Sequence, residues 1–184
     1  LCDGQSDPQN GFYAFDNWGD IAGFLIRGSR TAYESRSTSE TDVYVCVDLN
    51  GSGRGEISTG LGFFDHMLSQ LLHHGGIDLT VRVKGDLNVD EHHTIEDTAL
   101  ALGECIKNAL GSKKGIERYG FSLPMDEACA TVLLDFSGRA HLEWDLAPFS
   151  REYVGDFPTE MTRHFFESFC MASGTNMHIA ARGE

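Results

Sequence analysis

Phe64 to Gly85 reads FDHMLSQLLHHGGIDLTVRVKG, and two different periods meet inside it. Phe64, Met67, Leu68, Leu71 and Leu72 fall at i, i+3, i+4, i+7 and i+8, which predicts an amphipathic helix from about residue 63 to 74. Gly75-Gly76 stops it, because a residue without a Cβ adopts the left-handed cap conformation at least cost. Beyond the stop, Ile77, Leu79, Val81 and Val83 alternate with Asp78, Thr80, Arg82 and Lys84, the period of a half-buried strand closed by Gly85-Asp86. His66 and Gln70 lie one turn apart on a helix face away from the apolar stripe.

The same stretch recurs further on. A shift of 98 positions puts His66 on His164, Leu68 on Phe166, Leu71 on Phe169, Gly76 on Gly174, Val81 on Ile179 and Gly85 on Gly183. Self-similarity at a fixed offset is the mark of a duplicated structural unit. Working outward, Val43, Val45, Val47 and Leu49 alternate with polar neighbours as a strand that ends at Asn50-Gly51. Ile95, Ala99, Leu102 and Ile106 predict a second helix ending near Gly111. In the second half, Ala130 to Phe136 and Ala140 to Leu146 alternate on either side of Ser137-Gly138, which predicts a hairpin. A third helix is expected from about Pro158 to Ala172, then a strand starting with Met177, Ile179 and Ala181. Residues 1–29 hold an aromatic cluster but no sustained period, and no role is assigned to them.

Composition narrows the function classes. A chain of 184 residues with 41% hydrophobic and 23% charged residues has the balance of a packed globular protein. Its formal charge of −14, from 28 acidic and 14 basic residues, argues against nucleic acid and anionic membranes as partners, since both need a cationic footprint. A small anionic substrate would need a local group of cations working against that field. Cys2, Cys46, Cys105, Cys129 and Cys170 include no CxxC pair and read as small core residues of a reducing compartment. With no apolar run of about 18 residues and no leader-like start, a cytoplasmic location is expected.

The strongest chemical signal is His92-His93-x-x-Glu96 at a helix start. Spacings of four and three residues let two imidazoles and a carboxylate face one ion or two neighbouring ions. Asp90, Glu91 and Asp97 beside them could orient the rings. The plainer alternative is a solvated helix start whose acids suit the dipole. His66 and His164 would each mean little alone, but recurrence at the same point of two duplicated helices points to a shared ligand role. Lys113, Lys114 and Arg118 follow the second helix and Arg139 lies in the expected hairpin turn. These are either solvated charges or a phosphate clamp. Glu40, Asp126 and Glu127 each sit where a general-base carboxylate could be held.

Taken in order, Arg36-x-Thr38-x-Glu40-Thr41, Thr59-Gly60-Leu61-Gly62-Phe63-Phe64-Asp65-His66-Met67-Leu68, Gly85-Asp86-Leu87-x-Val89-Asp90-x-His92-His93-Thr94-Ile95-Glu96-Asp97, Arg118-Tyr119-Gly120, Pro124-Met125-Asp126-Glu127-Ala128 and Ser137-Gly138-Arg139 resemble the imidazoleglycerol-phosphate dehydratase family. The resemblance runs from about Arg30 to Glu184 and leaves the first 29 residues outside. It implies an α+β fold of internally duplicated half-domains, each a four-stranded sheet packed against helices, with the halves at 30–120 and 121–184.

The resemblance also implies a lyase of histidine biosynthesis that dehydrates imidazoleglycerol phosphate to imidazole acetol phosphate. That reaction proceeds through a metal-bound imidazolate and carboxylate acid/base catalysis. Carried over position by position, His66, His92, His93, Glu96 and His164 are metal ligands, Gln70, Arg118 and Arg139 contact the substrate, and Glu40 is the acid/base carboxylate. Two Mn²⁺ ions per active site and a homo-oligomer of about 24 subunits, whose neighbours share ligands, are implied as well. The family carries a second HHxxE helix and a lysine-bearing segment after the last strand. The offset of the repeat puts the former at 190, 191 and 194, so it is expected just past Glu184.

Two other classes remain open on the residues alone. A His/Glu metallohydrolase would use the same ligands and would release phosphate or an amine without losing water from an imidazole diol. An acidic metal-storage assembly would turn over no imidazole substrate.

Overall fold

The computed structural model describes residues 17–28, 30–117 and 120–183. Strands β1 (Thr31–Ser37), β2 (Thr41–Asp48), β3 (Gly55–Ser58) and β4 (Asp78–Gly85) form one sheet in the order β1-β2-β4-β3. Helices α2 (Gly62–Gly75) and α3 (His92–Leu110) follow β3 and β4. The second sheet is built from β5 (Phe121–Met125), β6 (Ala128–Asp135), β7 (His141–Asp145) and β10 (Asn176–Arg182), ordered β5-β6-β10-β7. Helix α4 (Met161–Ser173) connects to β10, and a short ribbon of β8 (Tyr153–Val154) and β9 (Phe157–Pro158) precedes it. A further helix, α1 (Trp18–Arg27), lies in the segment to which no period was assigned.

The two sheets have the same topology. In each, an antiparallel pair is followed by a strand, a helix and a strand that returns to the centre, running parallel to the strand before the helix. The duplication read from the 98-residue offset is therefore a duplication of fold. Equivalent glycines close the equivalent helices: Gly76 after α2 has φ 63° and Gly174 after α4 has φ 66°, both in the left-handed region that glycine enters freely.

Burial explains the order of the second sheet, and here the expected hairpin is wrong. β6 and β7 do not pair; β10 lies between them, antiparallel to β6 and parallel to β7. In that register Met177 stands beside Leu134 and Leu142, and Ile179 beside Val132 and Trp144. The central position buries the apolar residues of β10 from both sides, which an edge position would not do. Ser137-Gly138 is accordingly a link between non-adjacent strands, held by the Gly138 N–H donating to the Gly174 carbonyl at 2.8 Å. The third helix also starts later than expected, because Phe157-Pro158 belongs to the ribbon.

Helix α3 is the centre of the molecule. Its residues Ile95, Ala101, Leu102 and Cys105 are buried, joining a core that contains Val43, Val45 and Val47 of β2 and Leu79 and Val81 of β4. On its other side it packs along α4, whose Phe166, Phe169 and Cys170 reach the second sheet at Val132, Leu142, Met177 and Ile179. Cys105, Cys129 and Cys170 are free thiols, whereas Cys46 is disulfide-bonded, so the expectation of unpaired core cysteines fails at that position. No helix among the described residues is long and apolar enough to cross a membrane.

Candidate metal centre and substrate-binding residues

Gly103 lets α3 and α4 touch. A Cβ at that position would lie 2.8 Å from the Phe169 carbonyl oxygen and 2.9 Å from Ala172 Cβ, so any side chain would force the helices apart. About two turns before this close approach, His164, early in α4, meets the first turn of α3. His92 Nε2 lies 3.3 Å from Glu96 Oε2, and His164 Nε2 lies 3.5 Å from the same oxygen. The rings of His92 and His164 are 4.7 Å apart between centroids. One ligand atom from each of the three residues lies within 4.8 Å of the others.

This donor set fits a divalent cation. Two imidazole nitrogens and a carboxylate oxygen are the ligand types of zinc, manganese and iron sites. His164 Nε2 is buried and has no hydrogen-bond partner, an unsatisfied polar atom that a bound cation would satisfy. Thiolates are not in competition: burial pushes the Cys105 thiol up to about 12 and the Cys170 thiol to about 11.

The remaining sequence candidates fall around this group. His93 is turned away from it, its ring centroid 5.8 Å from that of His92 and its Nδ1 3.5 Å from Asp86 Oδ2, a partner suited to orienting the imidazole. Asp86 was read only as part of a turn, and no spacing singled it out. His66 is exposed on α2 and lies outside the three-residue group. Its carbonyl accepts from Ser69 Oγ at 2.6 Å and from Gln70 Nε2 at 3.1 Å. Gln70 Oε1 in turn lies 3.1 Å from His74 Nε2, so its amide is engaged along its own helix.

Glu40 lies in the connection between β1 and β2. A hydrogen bond from the Ser39 hydroxyl holds its carboxyl below the ordinary carboxylate range, and nearby His93 adds to this. Asp126 and Glu127 form the exposed β5–β6 turn, with Asp126 at φ 50°. One of the three acids expected to orient the histidine rings, Asp97 within α3, does something else. Asp97 faces β1 and β2, accepting from Arg36 Nε at 2.6 Å and from the Thr41 hydroxyl at 2.5 Å.

The basic residues gather at the far end of α3. Lys113 donates from Nζ to the Phe136 carbonyl at 2.6 Å, which brings it beside the Ser137-Gly138-Arg139 link, where Gly138 and Arg139 are exposed. Arg118 lies outside the described residues. The Ser137-Gly138-Arg139 link is tied through Gly138 to Gly174 at the end of α4, so it and His164 are separated by about 15 Å along that helix.

Comparison with known proteins agrees with the fold. Histidine biosynthesis bifunctional protein HisB of Bacteroides fragilis is 58% identical over 171 residues, covering 93% of this chain and 46% of the relative. The protein of the same name from Spirosoma linguale is 56% identical over 168 residues, 91% of this chain and 44% of the relative. The chain thus spans about half the length of the curated relatives it matches. The Bacteroides match is longer than the span from Arg30 to Glu184, so similarity reaches into the first 29 residues, which the motifs had left outside.

Among solved structures, imidazoleglycerol-phosphate dehydratase from Staphylococcus aureus superposes with a TM-score of 0.72 at 29% identity, over 83% of this chain and 85% of that one. IGPD from Pyrococcus furiosus, solved in a complex, gives 0.64 at 25% identity, over 82% and 80%. The family model for imidazoleglycerol-phosphate dehydratase matches residues 59–184, which include all three converging residues. This chain is therefore a member of the imidazoleglycerol-phosphate dehydratase family.

Proposed function

We propose that the chain removes water from imidazoleglycerol phosphate to give imidazole acetol phosphate, as a step of histidine biosynthesis in the cytoplasm. The observation that carries this is the convergence of His92, Glu96 and His164 in a member of that family. The substrate has no carbonyl next to the carbon that loses its proton, so an electrophile must act on the imidazole instead. Mn²⁺, two ions per active site, supplies that Lewis acid when bound. Of this chain's residues, His92, Glu96 and His164 hold the cation, and His93 and His66 are further ligands. The Glu40 carboxylate, kept ionised by its Ser39 hydrogen bond, moves the side-chain proton. Gln70, Arg118 and Arg139 bind the substrate, the two arginines at its phosphate.

The distances favour a site shared between copies. Arg139 follows Gly138, which is bonded to Gly174 at the end of α4, about 15 Å along that helix from His164, a distance longer than one small phosphate ester. His66 is likewise outside the group formed by its own chain. In this reading they serve the site of a neighbouring subunit in a symmetric homo-oligomer of about 24 copies, built from the half-domains at 30–120 and 121–184.

The test is an absorbance assay for the enolised ketone product, run on the full-length protein with and without Mn²⁺. Turnover that needs the metal, and that is lost together with bound metal in Glu96→Gln, is expected. Full metal occupancy without any dehydration of the substrate would overturn the proposal.

A further inference from the structure

We infer that Asp97 is a positioning residue that ties the Glu40 loop to the metal-binding helix, keeping the proton-transfer carboxylate and the cation ligands in one frame. The inference rests on the proposed roles of Glu40 and Glu96, and everything else in it is geometry. Asp97 follows Glu96 on α3, and a helix turns about 100° per residue. Glu96 faces the histidines while Asp97 is buried against the connection between β1 and β2.

Three donors converge on that one carboxylate. Arg36 Nε, near the end of β1, donates to Oδ1 at 2.6 Å; the Thr41 hydroxyl, at the start of β2, donates to Oδ2 at 2.5 Å; and the Thr38 hydroxyl lies 3.4 Å from the same oxygen. Thr38 Oγ1 also accepts the backbone N–H groups of Glu40 at 3.2 Å and Thr41 at 3.0 Å. The loop is thus pinned on both sides of Glu40, through its backbone, to the residue next to a metal ligand.

Glu40 needs such an anchor. Its own side chain is half-buried and bonds to the adjacent Ser39 hydroxyl, a contact that moves with the loop. Its position relative to α3 is set by the loop backbone, and the loop backbone is set by Asp97. A catalytic group displaced by about 1 Å can lose about 100-fold in rate, so the loop's registry bears directly on turnover.

A double-mutant cycle on the Mn²⁺-loaded, full-length oligomer tests this, with amide hydrogen exchange of the metal-free protein as a second readout. Asp97→Asn keeps the shape but loses the charge and one acceptor oxygen. Metal content and KM are expected to hold while kcat falls about 10–100-fold, and exchange at Thr38–Thr41 should accelerate with the middle of α3 still protected. In the Glu40→Gln background the same change should lower kcat no further. Equal fold-losses in both backgrounds, loss of metal, or unchanged exchange at the loop would each overturn the inference. Wild-type turnover in Glu40→Gln alone would instead overturn the proposed base, a result the exchange data keep separate because they do not depend on Glu40. If Asp97→Asn does not fold, Thr41→Val removes a single donor and should show a smaller effect with the same non-additivity.

Discussion

The two halves of the molecule share a topology but not a burial pattern. In the first sheet, β1 and β2 lie under α3: Val43, Val45 and Val47 are sealed, and Ala32 packs against the same core. In the second sheet the equivalent inner positions of β5, Phe121, Leu123 and Met125, are 69%, 60% and 78% exposed. Helix α4 covers β6, β7 and β10 but not β5. An alternating strand pattern states that a face can be buried, and a neighbouring helix decides whether it is. The stability of the described residues should therefore be concentrated in the first sheet and the α3–α4 contact.

The largest test of that contrast pairs two leucines. Leu102→Ala, on the buried face of α3, should cost about 2–5 kcal/mol, whereas Leu123→Ala on β5 should stay within about 0.5 kcal/mol. Urea unfolding of both variants in the full-length protein measures the difference. Equal losses would mean that β5 is covered after all.

Next comes the seam between the halves. Gly103→Ala should cost about 1–3 kcal/mol, since the new methyl meets the Phe169 carbonyl and Ala172. It should also weaken metal binding by moving His164 away from Glu96, which isothermal titration with Mn²⁺ would detect. Full stability with unchanged metal affinity would show that the helices can separate at no cost.

A smaller effect, confined to the first sheet, depends on pH. Burial raises the pKa of Asp78, but hydrogen bonds from the Ser52 and Arg54 N–H groups outweigh it and leave the carboxyl below its ordinary value. A lowered folded-state pKa gives stability that is present above the unfolded value and lost as pH falls through the folded one. Asp78→Asn should therefore cost about 1–2 kcal/mol at pH 7 and progressively less below about pH 4. A penalty independent of pH would assign the loss to packing. The smallest effect belongs to α4, where Arg163→Ala breaks an exposed pair with Glu167 and should cost about 0.5 kcal/mol or less. Thermal unfolding would sharpen the contrast if the loss proved larger than that at Asp78.

Periodicity and local chemistry made much of the molecule legible. α2 and β4 follow from the apolar spacing between Phe64 and Val83, α3 and β2 from similar stripes, and the duplication from residues that coincide at one offset. The His92-x-x-x-Glu96 spacing was readable because one helical turn brings the pair together whatever the rest of the chain does. β1 went unread because Glu34 and Arg36 occupy its inner face, and the four residues of β3 are too few to carry a period.

The sequence by itself determined local periods and which residue types could bind a cation, because those depend on neighbours within a turn or a strand. Tertiary structure decided the pairings at long range. It placed β10 between β6 and β7, brought His164 to Glu96 by packing α4 along α3, and turned Asp97 toward Arg36 and Thr41. Each of these turns on how much apolar surface and how many hydrogen bonds one arrangement satisfies compared with its rivals, a sum over distant parts of the chain that no local window contains.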